Sequence, residues 1–368
     1  MNLRVKESIR SIEPYKPGKP IEELERELGI RDAVKLASNE NPLGPSRKAL
    51  QLLKKGAETL HRYPEGTGRP LREAIARRNG ISPDEVILGN GSDEIMDLAA
   101  KVYLSPGEEA IVGDRTFSIY SICVRAHGGT VREVALRDGV HDLEAMRRAV
   151  GPRTRLVFIC NPNNPTGTMV THEAVHRFLK GLPDGILVVI DEAYAEFADD
   201  PSFPRSVELV RSGAPVLVLR TFSKYYGLAG LRIGYGLAAS GVIRDLNRVR
   251  LPFNTNTLAQ RAALAALSDA AHAARTLKVN REGRKLLETA FGKMGLRYLP
   301  TQANFIFVNV GGDGQAVYDR LLREGVIVRP VAGAWIRVSI GLARENRRFI
   351  SALKKVLRPP GRKRSRAR

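Results

Sequence analysis

Cysteine is almost absent: Cys123 and Cys160 are the only two in 368 residues, and they stand apart without metal-ligand spacing. This argues against a disulfide framework and gives a metal site no support. Long apolar runs are also missing. The N-terminal stretch MNLRVKESIRSIEPY has no hydrophobic segment of the export type, and the run that could most mislead, ILVVI at 186–190, is closed by Asp191. Five residues are far too few to span a bilayer, so an unexported protein of a reducing cytoplasm, without a membrane partner, is expected. Acids are scarce relative to bases, 39 against 59, for a formal charge of +20. The C-terminal segment KKVLRPPGRKRSRAR carries eight of those charges and no acid; removing them still leaves +12 on the rest of the chain. Such an excess suits anionic substrates, a high-salt or hot habitat, or nucleic acid. No aromatic stacking pattern accompanies the basic tail, and aromatics make up 6% of the chain, so nucleic acid is not the expected partner.

With 43% hydrophobic and 27% charged residues the composition is otherwise that of a globular protein, and its length suggests about two domains. From residue 82 onward, short β-branched runs alternate with helical periodicity. Strands are expected at EVILG (85–89), AIVG (110–113), RLVFIC (155–160), ILVVID (186–191), VLVLRT (216–221) and RIGYGL (232–237). Helix-like stretches such as SDEIMDLAAKVYL and THEAVHRFLKG lie between them. That alternation predicts an α/β domain with a mainly parallel, helix-covered sheet over 48–250. After residue 250, long helical patterns precede NFIFVNV, GVIVRP and WIRVSI. They predict a smaller α+β domain over 251–357, joined by an N-terminal arm, 1–47, and followed by a basic, disordered tail, 358–368.

In an open parallel sheet, ligands collect beyond the carboxyl ends of the strands. Three expected strands end there in polar clusters: RLVFIC in NPNNPTG, ILVVI in DEAYAEF, and VLVLR in TFSKYY. A fourth element, GNGSDE (89–94), joins a strand to a helix through glycine-flanked N–H groups, as a phosphate cradle does. Each has an ordinary reading taken singly. NPNNPTG is equally a proline-rich turn, Asp191 a helix N-cap, and Lys224 a lysine reaching solvent. Taken together, a phosphate cradle, an acid, a phenol, an amide and a lysine at one sheet edge match what pyridoxal 5′-phosphate requires. That molecule presents a phosphate, a ring nitrogen that must stay protonated, a phenolic oxygen and an aldehyde for an amine.

GNGSDE, CNPNNPTG, DEAYAEF and TFSKYYGLAGLRIGY, in this order, resemble the pyridoxal-phosphate aminotransferases of the aspartate aminotransferase fold, and among them most closely the histidinol-phosphate aminotransferases. The resemblance runs from IEPYKPGKPIEELERELG to GLARENRRFI. It implies that Lys224 bonds the cofactor aldehyde and moves the substrate proton, and that Asp191 pairs with the ring nitrogen. Tyr194 and Asn164 would bond the phenolic oxygen, and Phe117 would stack on the ring. Ser92, Asp93, Thr221, Ser223 and Arg232 would hold the phosphate, with Tyr63 reaching it from a second subunit of a homodimer. Tyr15, Arg329 and Arg337 would bind the substrate, since paired guanidiniums suit a phosphate monoester or a carboxylate. The implied reaction exchanges an amino group between L-histidinol phosphate and 2-oxoglutarate, a step of histidine biosynthesis. Rivals on the same motifs are an aromatic-amino-acid aminotransferase and a phosphothreonine decarboxylase. One departure from the pattern concerns the wall between Arg329 and Arg337, where only PVAGAWI stands and a longer loop is expected.

Overall fold

A computed structural model describes residues 3–358; of the expected disordered tail, all but Arg358 lies outside the described residues. The centre is a seven-stranded sheet. Across it the strands run Val86–Gly89, Gly234–Ala238, Val216–Thr221, Leu187–Asp191, Thr154–Cys160, Glu109–Gly113 and Thr130–Val134. Gly234–Ala238 is antiparallel to both its neighbours, and the other pairings are parallel.

The central strands read as continuous apolar runs because both faces are covered. Val188 and Ile190 pack into the core on one face, Leu187 and Val189 into the core on the other, all nearly inaccessible. Each such side chain contributes about 1.5–3 kcal/mol of burial. The period of two also decides where the chemistry goes. Asp191 continues the face of Leu187 and Val189, whereas Glu192 turns to the opposite face, where Arg220 grips it at 2.8 and 2.9 Å.

A second, smaller body is built on a three-stranded antiparallel sheet of Arg329–Pro330, Trp335–Ser339 and Phe305–Asn309, with its own apolar core. Ala270–Lys293 and Ala343–Leu357 cover it, and Val34–Lys35 of the N-terminal arm pairs in parallel with Val326–Ile327.

Several elements differ from the sequence expectation. Thr130–Val134 is an extra edge strand; with a single neighbour and mostly exposed side chains, it lacks the apolar run by which the other strands are recognised. The expected strand over 232–237 starts at Gly234, because Arg232 sits in the left-handed region at φ 52°. GVIVRP splits into two short strands that pair with different partners. Thr257–Leu267, grouped above with the smaller domain, packs instead on Arg47–Gly56 and Arg69–Asn79. Its Ala259, Ala262, Ala263 and Ala266 lie in the core of the large sheet. This alanine-rich face permits the close helix approach, and the helix that follows, Ala270–Lys293, packs Ala273 and Leu277 on that core and Leu287 and Phe291 in the core of the smaller body.

Candidate active site

The carboxyl ends of Thr154–Cys160, Leu187–Asp191 and Val216–Thr221 open into a cavity of about 290 Å³ between the large sheet and the smaller body. Every residue singled out in the sequence lines it except Tyr63 and Arg329.

Lys224 follows its strand by three residues, and its ammonium donates to the carbonyl of Ser38 at 3.0 Å. Burial, with the nearby Arg337 guanidinium adding to it, pulls its pKa from 10.5 down to about 8. Asp191 is buried at 3% exposure, and desolvation raises its carboxyl from 3.8 to about 6. Two donors resist that rise: Tyr120 Oη at 2.6 Å on Oδ2 and the Ala193 N–H at 3.1 Å on Oδ1. Tyr120 is fully buried and stacks on Phe158 at 4.9 Å. Phe117, one helical turn before it, meets Tyr120 edge-on at 5.7 Å and Tyr15 edge-on at 6.4 Å.

At one end, Gly91 precedes the helix Ser92–Tyr103 with φ 79°, and no side chain caps that helix. Its first N–H groups are therefore available to an anion, favoured further by the helix dipole. A Cβ at Gly91 would collide with Arg232, and one at Gly234 would come within 2.5 Å of the Ser92 nitrogen, so the backbone is glycine-thin where the cradle forms. Arg232 bridges this end, donating to Ser223 Oγ at 3.3 Å and to Asp93 Oδ2 at 3.2 Å. Thr221 Oγ1 accepts from the Ser223 N–H at 3.1 Å.

At the other end, Arg329 and Arg337 are direct cross-strand partners in the antiparallel hairpin. PVAGAWI is thus a tight turn that places both guanidiniums on one side of the sheet. Arg337 is buried, bonded to Asn164 Oδ1 and to the Ala37 carbonyl, and lies over the Phe305 ring at 5.3 Å. Arg329 stands 5.7 Å over the half-exposed Tyr15 ring. Tyr194 is buried, and its hydroxyl accepts from Asn39 Nδ2 at 2.9 Å. Tyr63 is 81% exposed, outside the cavity, stacked on Phe253 at 4.7 Å.

Sequence reasoning missed Tyr120, Ser38 and Asn39. Tyr120 lies in the helix Ile119–Ala126, just past Phe117, where an aromatic among apolar residues reads as core. For Ser38 and Asn39 the only sign is the polar cluster SNENP within the arm.

The arrangement is that of a fold-type I enzyme of amino-group transfer: a lysine poised near neutrality, a buried carboxylate, and an anion cradle in one cavity. The chain belongs to the aminotransferase class I and II family, whose model matches residues 31–353, and it is a transaminase. Among curated relatives it is 51% identical to the histidinol-phosphate aminotransferase of Moorella thermoacetica, over 96% of this chain and 93% of that one. It is 49% identical to histidinol-phosphate aminotransferase 2 of Pseudomonas aeruginosa, over 95% and 96%. Among solved structures, the histidinol-phosphate aminotransferase of Sinorhizobium meliloti in complex with pyridoxal-5′-phosphate superposes with a TM-score of 0.90 at 31% identity, covering 97% of this chain and 98% of the other. Aspartate aminotransferase from Thermus thermophilus with maleate superposes at 0.84 and 25% identity, covering 96% and 100%. The aspartate aminotransferase fold expected from the motifs is the observed one.

Proposed function

We propose that this chain transfers the amino group of L-histidinol phosphate to 2-oxoglutarate, with pyridoxal 5′-phosphate as cofactor, as a cytoplasmic homodimer. The observation that carries the reading is the shared cavity of Lys224, Asp191 and the uncapped helix at Ser92. The glycine-thin cradle at Gly91 and Gly234 fits a phosphate, and the raised pKa of Asp191 fits a carboxylate short of a cationic partner.

When bound, the cofactor supplies an electron-withdrawing ring that stabilises negative charge at the substrate α-carbon. The Ser92 and Asp93 N–H groups, the hydroxyls of Thr221 and Ser223, and Arg232 would hold its phosphate. Asp191 would receive the ring N–H, Tyr194 and Asn164 would donate to the phenolic oxygen, and Phe117 would cover the ring. Lys224 would be the amine that holds the aldehyde carbon through Nζ, and its neutral Nζ would take the substrate α-proton and return it, a role suited by a pKa near 8.

Arg337 and Tyr15 line the far end of the cavity, and Arg329, outside it, stands over the Tyr15 ring. Paired guanidinium forks favour a phosphate monoester over a phenyl ring, which supports the substrate that the relatives' names carry. Steady-state kinetics with 2-oxoglutarate as acceptor test this: kcat/KM for histidinol phosphate should exceed that for phenylalanine by at least about 100-fold, the value of one well-formed charged contact of ~3 kcal/mol. A ten-fold preference for phenylalanine would overturn the substrate.

Tyr63 stacks on Phe253, and these two with Leu60 and Leu251, near them in sequence, are 45–81% accessible. A second copy covering this face would bring Tyr63 to the partner's cradle and remove the apolar surface from water. Sedimentation velocity at micromolar concentration should give a dimer, and Tyr63→Ala should raise the dissociation constant for cofactor about ten-fold. A fully active monomer would exclude the shared site.

A further inference from the structure

Three consecutive residues of the N-terminal arm touch three different site residues: the Ala37 carbonyl accepts from Arg337, the Ser38 carbonyl from Lys224, and the Asn39 side chain donates to Tyr194. The last contact belongs to a chain whose directions are fixed. The Asn39 backbone N–H, which can only donate, gives its proton to Ser339 Oγ at 2.8 Å. The Ser339 hydroxyl could accept a second bond, but only an amide with Oδ1 toward it gives its single buried proton an acceptor, and it donates to Asn39 Oδ1 at 2.9 Å. The amide is thereby oriented with Nδ2 toward Tyr194, and an amide nitrogen also only donates, so Tyr194 Oη accepts at 2.9 Å. The phenol's own proton is left for the cavity. All three residues are at most 4% exposed, so water does not scramble the sequence of donors. Asn39 holds its place in the left-handed region at φ 54°, anchored further by Asn304 donating to its carbonyl at 2.9 Å.

We propose that Ser339 and Asn39 form a positioning relay that commits Tyr194 to donating its hydroxyl proton into the cavity, toward the cofactor's phenolic oxygen. The inference rests on the cofactor reading above. Ser339 lies on the smaller body and Tyr194 on the large one, with Asn39 between them, so the relay also ties that proton to the relative position of the two. A hydroxyl that accepts one hydrogen bond donates the next more strongly. A proton donated to the phenolic oxygen withdraws negative charge from beside the nitrogen that joins Lys224 to the cofactor, and that nitrogen then loses its proton at lower pH.

The test is a spectrophotometric pH titration of the visible band of the protein loaded with pyridoxal 5′-phosphate. Tyr194→Phe should raise the midpoint by about one pH unit, and Asn39→Asp should reproduce that rise, because a carboxylate would accept the Tyr194 proton and turn it from the cavity. Asn39→Gly, which keeps the left-handed backbone without strain, should raise the midpoint by about half as much and add nothing in a Tyr194→Phe background. Ser339→Ala should shift it in the same direction. No band in the wild type would overturn the cofactor reading and the relay with it. A wild-type band with an unmoved midpoint in Asn39→Asp, or an equal shift for Asn39→Gly with and without Tyr194, would overturn the relay alone.

Discussion

Lys224→Ala is expected to leave no measurable transamination, a loss of at least about 10⁴-fold, because one substitution removes both the nucleophile and the acid–base group. The visible band of the loaded protein should vanish with it, while the cradle at Ser92 still binds inorganic phosphate. A compensating effect on stability should accompany the loss. The Lys224 amine titrates near 8 in the fold against 10.5 when free, so below about pH 8 the folded chain carries a cation that its surroundings disfavour. Its penalty, about 1–3 kcal/mol, is fully present below the folded pKa and fades as pH rises toward the unfolded one. Lys224→Met, which keeps the apolar stem, should therefore stabilise the cofactor-free protein in urea unfolding at pH 7 and lose that advantage near pH 10.5. Turnover within ten-fold of the wild type in either variant would end the case for Lys224 as the reacting amine.

The outline of this site is readable along the chain because a parallel sheet turns local sequence into common position. Three apolar runs that each end in a polar cluster must deliver Asn164, Asp191 and Lys224 to one edge, whatever the helices between them do. What was not readable came from contacts without local signature. Asn39 reaches Tyr194 across 155 positions and Ser339 across 300, and no periodicity encodes such pairings. Tyr120 lies in IYSICVRA, where an aromatic on an apolar helix face reads as core; only the strand opposite it shows that its hydroxyl meets a carboxylate. The short segment between Arg329 and Arg337 looked like a missing wall. It is a hairpin turn whose register pairs the two arginines, and Tyr15 of the arm stands over the outer one.

Asp191→Asn carries the second large expectation, a fall in kcat of about 10²–10⁴ with cofactor still bound, since breaking a buried charge pair costs ~3–5 kcal/mol. The carboxylate is costly in the fold alone: with its pKa near 6 against an ordinary 3.8, the protein without cofactor holds it against desolvation, helped by Tyr120 and the Ala193 N–H. A raised carboxyl pKa means that the folded state binds the proton more tightly, so the penalty grows from pH 3.8 to 6 and is complete above. Asparagine keeps an acceptor for the Ala193 N–H, offers its amide N–H to the Tyr120 hydroxyl, which can also accept, and drops the charge. The cofactor-free variant should then be more stable than the wild type at pH 7 by about 1–3 kcal/mol and no more stable below pH 4. The same charge that weakens the empty fold is the one a protonated ring nitrogen would neutralise, so cofactor should stabilise the wild type against heat more than it stabilises Asp191→Asn. Equal stabilisation of the two, with activity retained, would show that the carboxylate does not face the ring nitrogen.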